Sequence, residues 1–113
     1  MRPESRKYLF DIQVAADSIA TFCAGKNFED YLRDEMLKAA VERKFAVVGE
    51  ALARLAQLDA GTAARIPEYR KIIAFRNIII HGYASVGDKI VWGVVEADLP
   101  SLRSAVTQLL GEA

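Results

Sequence analysis

The segment Tyr69-Arg70-Lys71-Ile72-Ile73-Ala74-Phe75-Arg76-Asn77-Ile78-Ile79-Ile80-His81-Gly82-Tyr83 threads a helical stripe through a β-branched run. Its apolar residues at 69, 72, 73, 80 and 83 recur at helical spacing. Arg76 falls in the middle of that stripe, where packing alone asks for leucine, and a buried guanidinium is costly unless it is paired. Asn77 and His81, the chain's only histidine, stand one turn apart on the neighbouring face. A long Arg76 side chain can converge with both on one ligand beside an apolar wall. Two readings of His81 stand side by side. It takes part in chemistry, or it satisfies the last carbonyls of a helix whose left-handed C-cap is Gly82. The second accounts for His81 and Gly82 but poorly for Arg76 and Asn77, residue types not favoured in a buried helix interior without a partner.

Outward from this segment, three more helical patterns appear. The first runs from about Ser5 to Ala24, with Leu9, Ile12, Ala16, Ile19 and Cys23 three or four apart, and stops at Gly25. Asn27 then reads as an N-cap, with Glu29 and Asp30 in the first turn where the helix dipole favours acids. A long helix is predicted from there to about Leu58, its seam formed by Leu37, Val41, Phe45, Val48, Leu52 and Leu55, and Gly61 ends it. The helix bearing Arg76 opens near Pro67, whose missing N–H costs nothing at a first helical position. A last helix starts around Asp98 to Pro100 and turns Leu99, Leu102, Val106, Leu109 and Leu110 inward until Gly111. Between Ala84 and Val95 the stretch Val86-Gly87-Asp88-Lys89-Ile90-Val91-Trp92 is β-rich with a turn-like Gly-Asp pair, too short to build a sheet. The expected fold is therefore all-α, an up-and-down helical bundle with a short irregular or extended connection before its last helix. Trp92 and Tyr31 are expected to be packing aromatics.

Composition narrows the function classes. The 113 residues suit one domain, 1–113, and 52% hydrophobic with 27% charged is ordinary for a globular protein. Apolar runs fall far short of the roughly 20 residues that cross a bilayer. The start Met1-Arg2-Pro3-Glu4 lacks the apolar core of a signal peptide, so a cytoplasmic protein with no membrane part is expected. A single cysteine, Cys23, excludes an internal disulfide, and one Cys with one His argues against an intrachain His/Cys zinc site. Fifteen basic and fifteen acidic residues give zero net charge, so any contact with nucleic acid must be local. Arg65, Arg70, Lys71 and Arg76 cluster in sequence, either to hold a few phosphates or as a solvated helix face. Gly49-Glu50 lies near the middle of the longest packing element, with Glu50 able to pair with Arg76 or to stand as a surface acid.

The string Arg76-Asn77-Ile78-Ile79-Ile80-His81-Gly82-Tyr83 fits R-x-x-x-x-H-x-Y, and the chain resembles the HepT-like toxins of the HEPN superfamily. The resemblance extends to Gly49-Glu50, to Val91-Trp92 and to Asp98-Leu99-Pro100, in the same order from about Tyr8 to Leu110. It implies an all-α HEPN bundle working as a homodimer, whose two motifs face one cleft and cleave RNA without a metal or other cofactor. It further implies a toxin–antitoxin pair, in which a minimal nucleotidyltransferase antitoxin neutralises the toxin by moving AMP from ATP onto the motif tyrosine, here Tyr83.

The reaction has its own requirements. Attack of a ribose 2′-hydroxyl on the adjacent phosphate needs a base, an acid for the leaving 5′-oxygen and a cation against the phosphorane charge. One chain supplies one histidine, and a two-fold interface supplies the second. On this reading His81 transfers protons and Arg76 binds the phosphate and the transition state. Asn77 orients His81 or the phosphate, Glu50 holds Arg76, and Tyr83 is the modification site at the cleft mouth. An alternative from another class is a non-catalytic helical dimer that serves as the binding partner of a nucleotidyltransferase; zero net charge favours it, and Arg76, Asn77, His81 and Tyr83 together favour the nuclease.

Overall fold

The computed structural model describes residues 1–81 and 87–112. In chain order the described residues form α1 (Pro3–Cys23), α2 (Phe28–Arg33), α3 (Glu35–Leu58), α4 (Ala60–Ala63), α5 (Tyr69–Ile80), α6 (Asp88–Ala97) and α7 (Leu99–Gly111), with no strand among them. The fold is an all-α bundle. Pro3 opens α1, and Leu9, Ile12, Ala16, Ile19 and Cys23 are buried at helical intervals. The whole α3 seam read from the sequence, Leu37 to Leu55, is buried as well. These two long helices pack against each other, α5 lies on α3, α7 covers α1, and α2 joins α3 to α6. The buried apolar side chains form one continuous cluster. Among the described residues no helix is long and apolar enough to cross a membrane.

Four boundaries differ from the sequence reading, each for a local reason. The helix expected from Asn27 to Leu58 is broken at Asp34, whose backbone is extended and whose carboxylate accepts the Leu37 N–H at 3.0 Å. A short acidic side chain that captures a backbone donor favours a cap over a helix interior. The break also sends the buried Tyr31 ring onto Trp92, 5.4 Å between centroids. Gly61 does not end α3; it sits inside α4, which Asp59 caps through the Thr62 N–H at 3.2 Å. Pro67 is not the first residue of α5, because Glu68 takes a left-handed backbone (φ 60°) and the helix starts only at Tyr69.

The fourth difference is larger. The stretch read as an extended connection is for the most part a helix, α6, in which Val91, Trp92, Val94 and Val95 are buried. Valine's preference for strands is weak and gives way to packing. Here the three- and four-residue intervals place these side chains on one face against α2 and α7. The Gly87-Asp88 pair that looked like a turn is the helix start: Gly87 is the N-cap, and Asp88 sits in the first turn, where it pairs with Lys38 at 3.0 Å. The remainder of that stretch, 84–86, lies outside the described residues.

Candidate functional site

Helix α5 is oriented by an aromatic wedge. Phe75 is buried and meets Phe45 of α3 edge to face at 5.3 Å between centroids, and Ile72 is buried one turn earlier. The sequence stripe placed Ile80 inward instead, whereas Ile80 is 50% exposed. With Phe75 in the core, the next residue, Arg76, points along the α3 surface at Gly49. The approach is close: an ideal Cβ on Gly49 would overlap the Arg76 Cβ and stand 2.5 Å from its Cγ. Glycine at 49 is therefore what lets the arginine stem lie on α3.

The stem delivers the guanidinium to Glu50. One terminal nitrogen of Arg76 donates to Glu50 Oε2, and the other donates to Asn77 Oδ1 at 2.9 Å. Glu50 is held from its other side by Arg54, whose Nε donates to Oε1 at 3.0 Å. The Arg76 side chain keeps 25% of its surface exposed, and its Nε is buried with no partner among the described residues. Of five N–H donors on a guanidinium, two are used and the buried Nε–H is a third, which leaves two terminal N–H groups for a ligand.

Asn77 joins this group to His81. Its side-chain oxygen serves Arg76, and its backbone carbonyl accepts the His81 N–H at 3.1 Å. His81 is exposed at the C-cap of α5. Arg76, Asn77 and Glu50 are thus brought together, and His81 stands beyond them at the helix end. Tyr83, expected at the cleft mouth, and the proposed C-cap Gly82 lie outside the described residues. Sequence reading missed Arg54 and the role of Gly49. The spacing of Glu50 and Arg54, one turn apart, was the available signal for the first.

The basic residues that cluster in sequence do not form a phosphate patch. Arg65 makes a bidentate pair with Glu112 at 2.7 and 2.8 Å, and Lys71 pairs with Asp98 at 2.9 Å. Each of these carboxylates holds its cation's pKa above the ordinary value, through a hydrogen bond and through charge. Arg70 rests over the Tyr69 ring, 5.3 Å from its centroid. A groove of about 550 Å³ opens instead beside Arg76 and Ile80, between α1, α3 and the end of α5; neither Asn77 nor His81 lines it. Among the described residues no group of three His, Cys, Asp or Glu side chains is placed to hold a metal ion.

A family model described as "Ribonuclease HepT-like" matches residues 12–109, which takes in the α1–α3 seam, Gly49-Glu50 and the Arg76 to His81 motif. The chain belongs to the ribonuclease HepT-like family. Among its HepT-like relatives, a "Probable ribonuclease HepT" of Thermococcus cleftensis is 31% identical over 109 residues, covering 96% of this chain and 98% of the relative. A "Putative RNase" of Caldanaerobacter subterraneus subsp. tengcongensis is 28% identical over 105 residues, covering 93% of each chain. A further protein of that name from Methanocaldococcus jannaschii is 24% identical over 101 residues, covering 89% of this chain and 92% of its own length. No solved structure matches this HepT-like chain.

Proposed function

We propose that this protein is an endoribonuclease that cleaves RNA by attack of a 2′-hydroxyl on the adjacent phosphate, at a site completed by a second copy of the chain. The observation that carries the reading is the clamp on Arg76. Glu50 and Asn77 hold a guanidinium five residues before an exposed histidine, and two of its N–H groups remain for a phosphate oxygen pair. Support comes also from membership in a family described by ribonuclease activity and from three relatives with ribonuclease names.

In this mechanism one His81 takes the 2′-hydroxyl proton as the 2′-oxygen bonds to phosphorus. The His81 of the second copy gives a proton to the departing 5′-oxygen, leaving a 2′,3′-cyclic phosphate and a 5′-hydroxyl. Arg76 neutralises the charge that gathers on the phosphorane oxygens, already oriented and so with little reorganisation to make. Asn77 links the two groups, and Glu50 is the anchor. The protein acts as the toxin of a toxin–antitoxin pair. A nucleotidyltransferase antitoxin neutralises it: the Tyr83 hydroxyl attacks the α-phosphorus of ATP, pyrophosphate leaves, and the bound AMP blocks the entering RNA phosphate by charge and volume.

Cleavage of RNA in EDTA by the unchanged protein and by His81→Ala tests the site. Loss of a general acid–base group is expected to slow cleavage by about 10²–10⁴-fold with folding unchanged. Undiminished cleavage by the variant would refute the assignment. Intact mass after incubation with the cognate nucleotidyltransferase and ATP tests Tyr83, with one AMP added to the unchanged protein and none to Tyr83→Phe.

A further inference from the structure

The groove beside Arg76 has a chemistry of its own. Five cations reach it from three helices: Lys7 from α1, Arg43, Lys44 and Arg54 from α3, and Arg76 from α5. Among the described residues that line it, two carboxylates answer them, Asp11 and Glu50. The groove thus carries an excess of three positive charges on a chain whose net charge is zero. Lys7 pairs with Asp11, and Arg54 and Arg76 share Glu50, whereas Arg43 and Lys44 have no carboxylate partner among the described residues. Between these charges lie large apolar side chains turned to solvent, Phe10 at 56% exposure and Val14 at 47%, with the half-buried Tyr8 beside them.

We infer that the groove binds single-stranded RNA and leads it to Arg76, with a base stacked on Phe10 and phosphates on Arg43 and Lys44. Exposed aromatics interleaved with cations are the arrangement that takes unpaired nucleotides of any sequence, because every base has a π-face and every linkage a negative charge. The volume, about 550 Å³, lies within the ~300–1,000 Å³ of small-ligand sites, room for a short stretch of strand at a time. An excess of three positive charges around an exposed aromatic ring calls for a partner that carries repeated negative charge and flat apolar faces. The polyanion is the complementary occupant. The inference deepens the ribonuclease reading and rests on it for the choice of RNA, yet it concerns binding and is separable from cleavage.

Binding of a fluorescein-labelled, 2′-O-methyl single-stranded RNA of about a dozen nucleotides, followed by anisotropy from low to moderate salt, separates the two, because this probe lacks the attacking hydroxyl. Phe10→Ala is expected to weaken binding roughly ten-fold, within the range for loss of one base stack, and Phe10→Trp to restore it. Arg43→Gln with Lys44→Gln is expected to weaken binding and to flatten the slope of log K against log salt by about 1.4, from ~0.7 for each of two single-strand phosphates no longer neutralised. Phe10 and Arg43 are exposed and Lys44 is half-buried, and circular dichroism verifies that each variant folds. Wild-type affinity and slope in both variants overturn the groove while leaving the nuclease standing. The expected binding losses without any cleavage of ordinary RNA by the unchanged protein uphold the groove and remove the nuclease. A shift of either variant from dimer to monomer in sedimentation, at unchanged RNA affinity, makes the face a contact between copies and overturns the proposal.

Discussion

Replacing Gly49 by alanine reverses the usual sign of a glycine substitution. Inside a helix, glycine is ordinarily worse than alanine by roughly 1 kcal/mol, so the change stabilises an open position. At 49 the added methyl would overlap the Arg76 Cβ and come within 2.5 Å of its Cγ. Those atoms lie next to the α5 backbone and cannot swing aside as a side-chain tip can, so α3 and α5 must part or the arginine must turn away. Overpacking of this kind costs ~1–3 kcal/mol, and the depth of the overlap places it in the upper half of that range. Set against the propensity gain, a net loss of about 1–2 kcal/mol remains, or roughly 4–8 °C in Tm for a domain of this size. Displacement of Arg76 from its clamp is expected to slow RNA cleavage by about 10²-fold. Gly93→Ala supplies the contrast, since Gly93 is an exposed residue of α6 with open space where its Cβ would go. That variant should gain ~0.5–1 kcal/mol and cleave normally. Thermal unfolding by circular dichroism with an RNA cleavage assay reads both. If Gly49→Ala is as stabilising as Gly93→Ala and cleaves at the full rate, the close approach of Arg76 to α3 plays no part in the site.

Three further outcomes follow from named contacts. Arg76→Leu should abolish cleavage while moving stability by no more than about 1 kcal/mol, because Arg54 still answers the Glu50 carboxylate; a severely destabilised variant would show Arg76 to be structural instead. Asp34→Ala removes the acceptor of the Leu37 N–H and should lower stability by roughly 1 kcal/mol in denaturant unfolding, with no change meaning that the α2–α3 break is set elsewhere. Hydrogen bonds from Thr62 and from the buried Ser5 hold the Asp59 carboxyl below the usual carboxylate range. A carboxyl with a lowered folded-state pKa stabilises the fold above its unfolded value of about 3.9, and that contribution disappears as pH falls through the folded value. Asp59→Asn should therefore flatten the acid limb of Tm against pH, and an equally steep limb in both proteins would remove the assignment.

The helices that bury a regular stripe were legible because period alone identifies them: Leu9 to Cys23 and Leu37 to Leu55 went inward as read. The breaks were less legible. Asp34 and Glu68 change the backbone over one residue, and their effect depends on where Tyr31 and Tyr69 must go, which is a tertiary demand. Helix α6 was misread for the same reason. Three valines, an isoleucine and a tryptophan between Ile90 and Val95 carry strand propensity, and only the surfaces of α2 and α7 turn them into a helical face.

At the site the division falls between what one helix can state and what several must assemble. Arg76, Asn77 and His81 were readable because an arginine inside an apolar stripe breaks a rule that one segment states by itself. Glu50 was the one residue of another helix that sequence reasoning could attach, since an arginine so placed requires a carboxylate and α3 offers one beside a glycine. The charge pattern misled for the opposite reason. Arg65 and Lys71 are close to Arg76 in sequence, but each is matched by an acid from the end of the chain or the start of α7. Lys7, Arg43 and Lys44 are far from Arg76 in sequence and line the same groove. Net charge at zero conceals this arrangement, because the electrostatic field at a cleft depends on which charges are paired and which face it. In this bundle the neutral total hides a positive groove leading to Arg76 whose excess is offset by acids elsewhere on the chain, and it is the groove that a polyanion would meet.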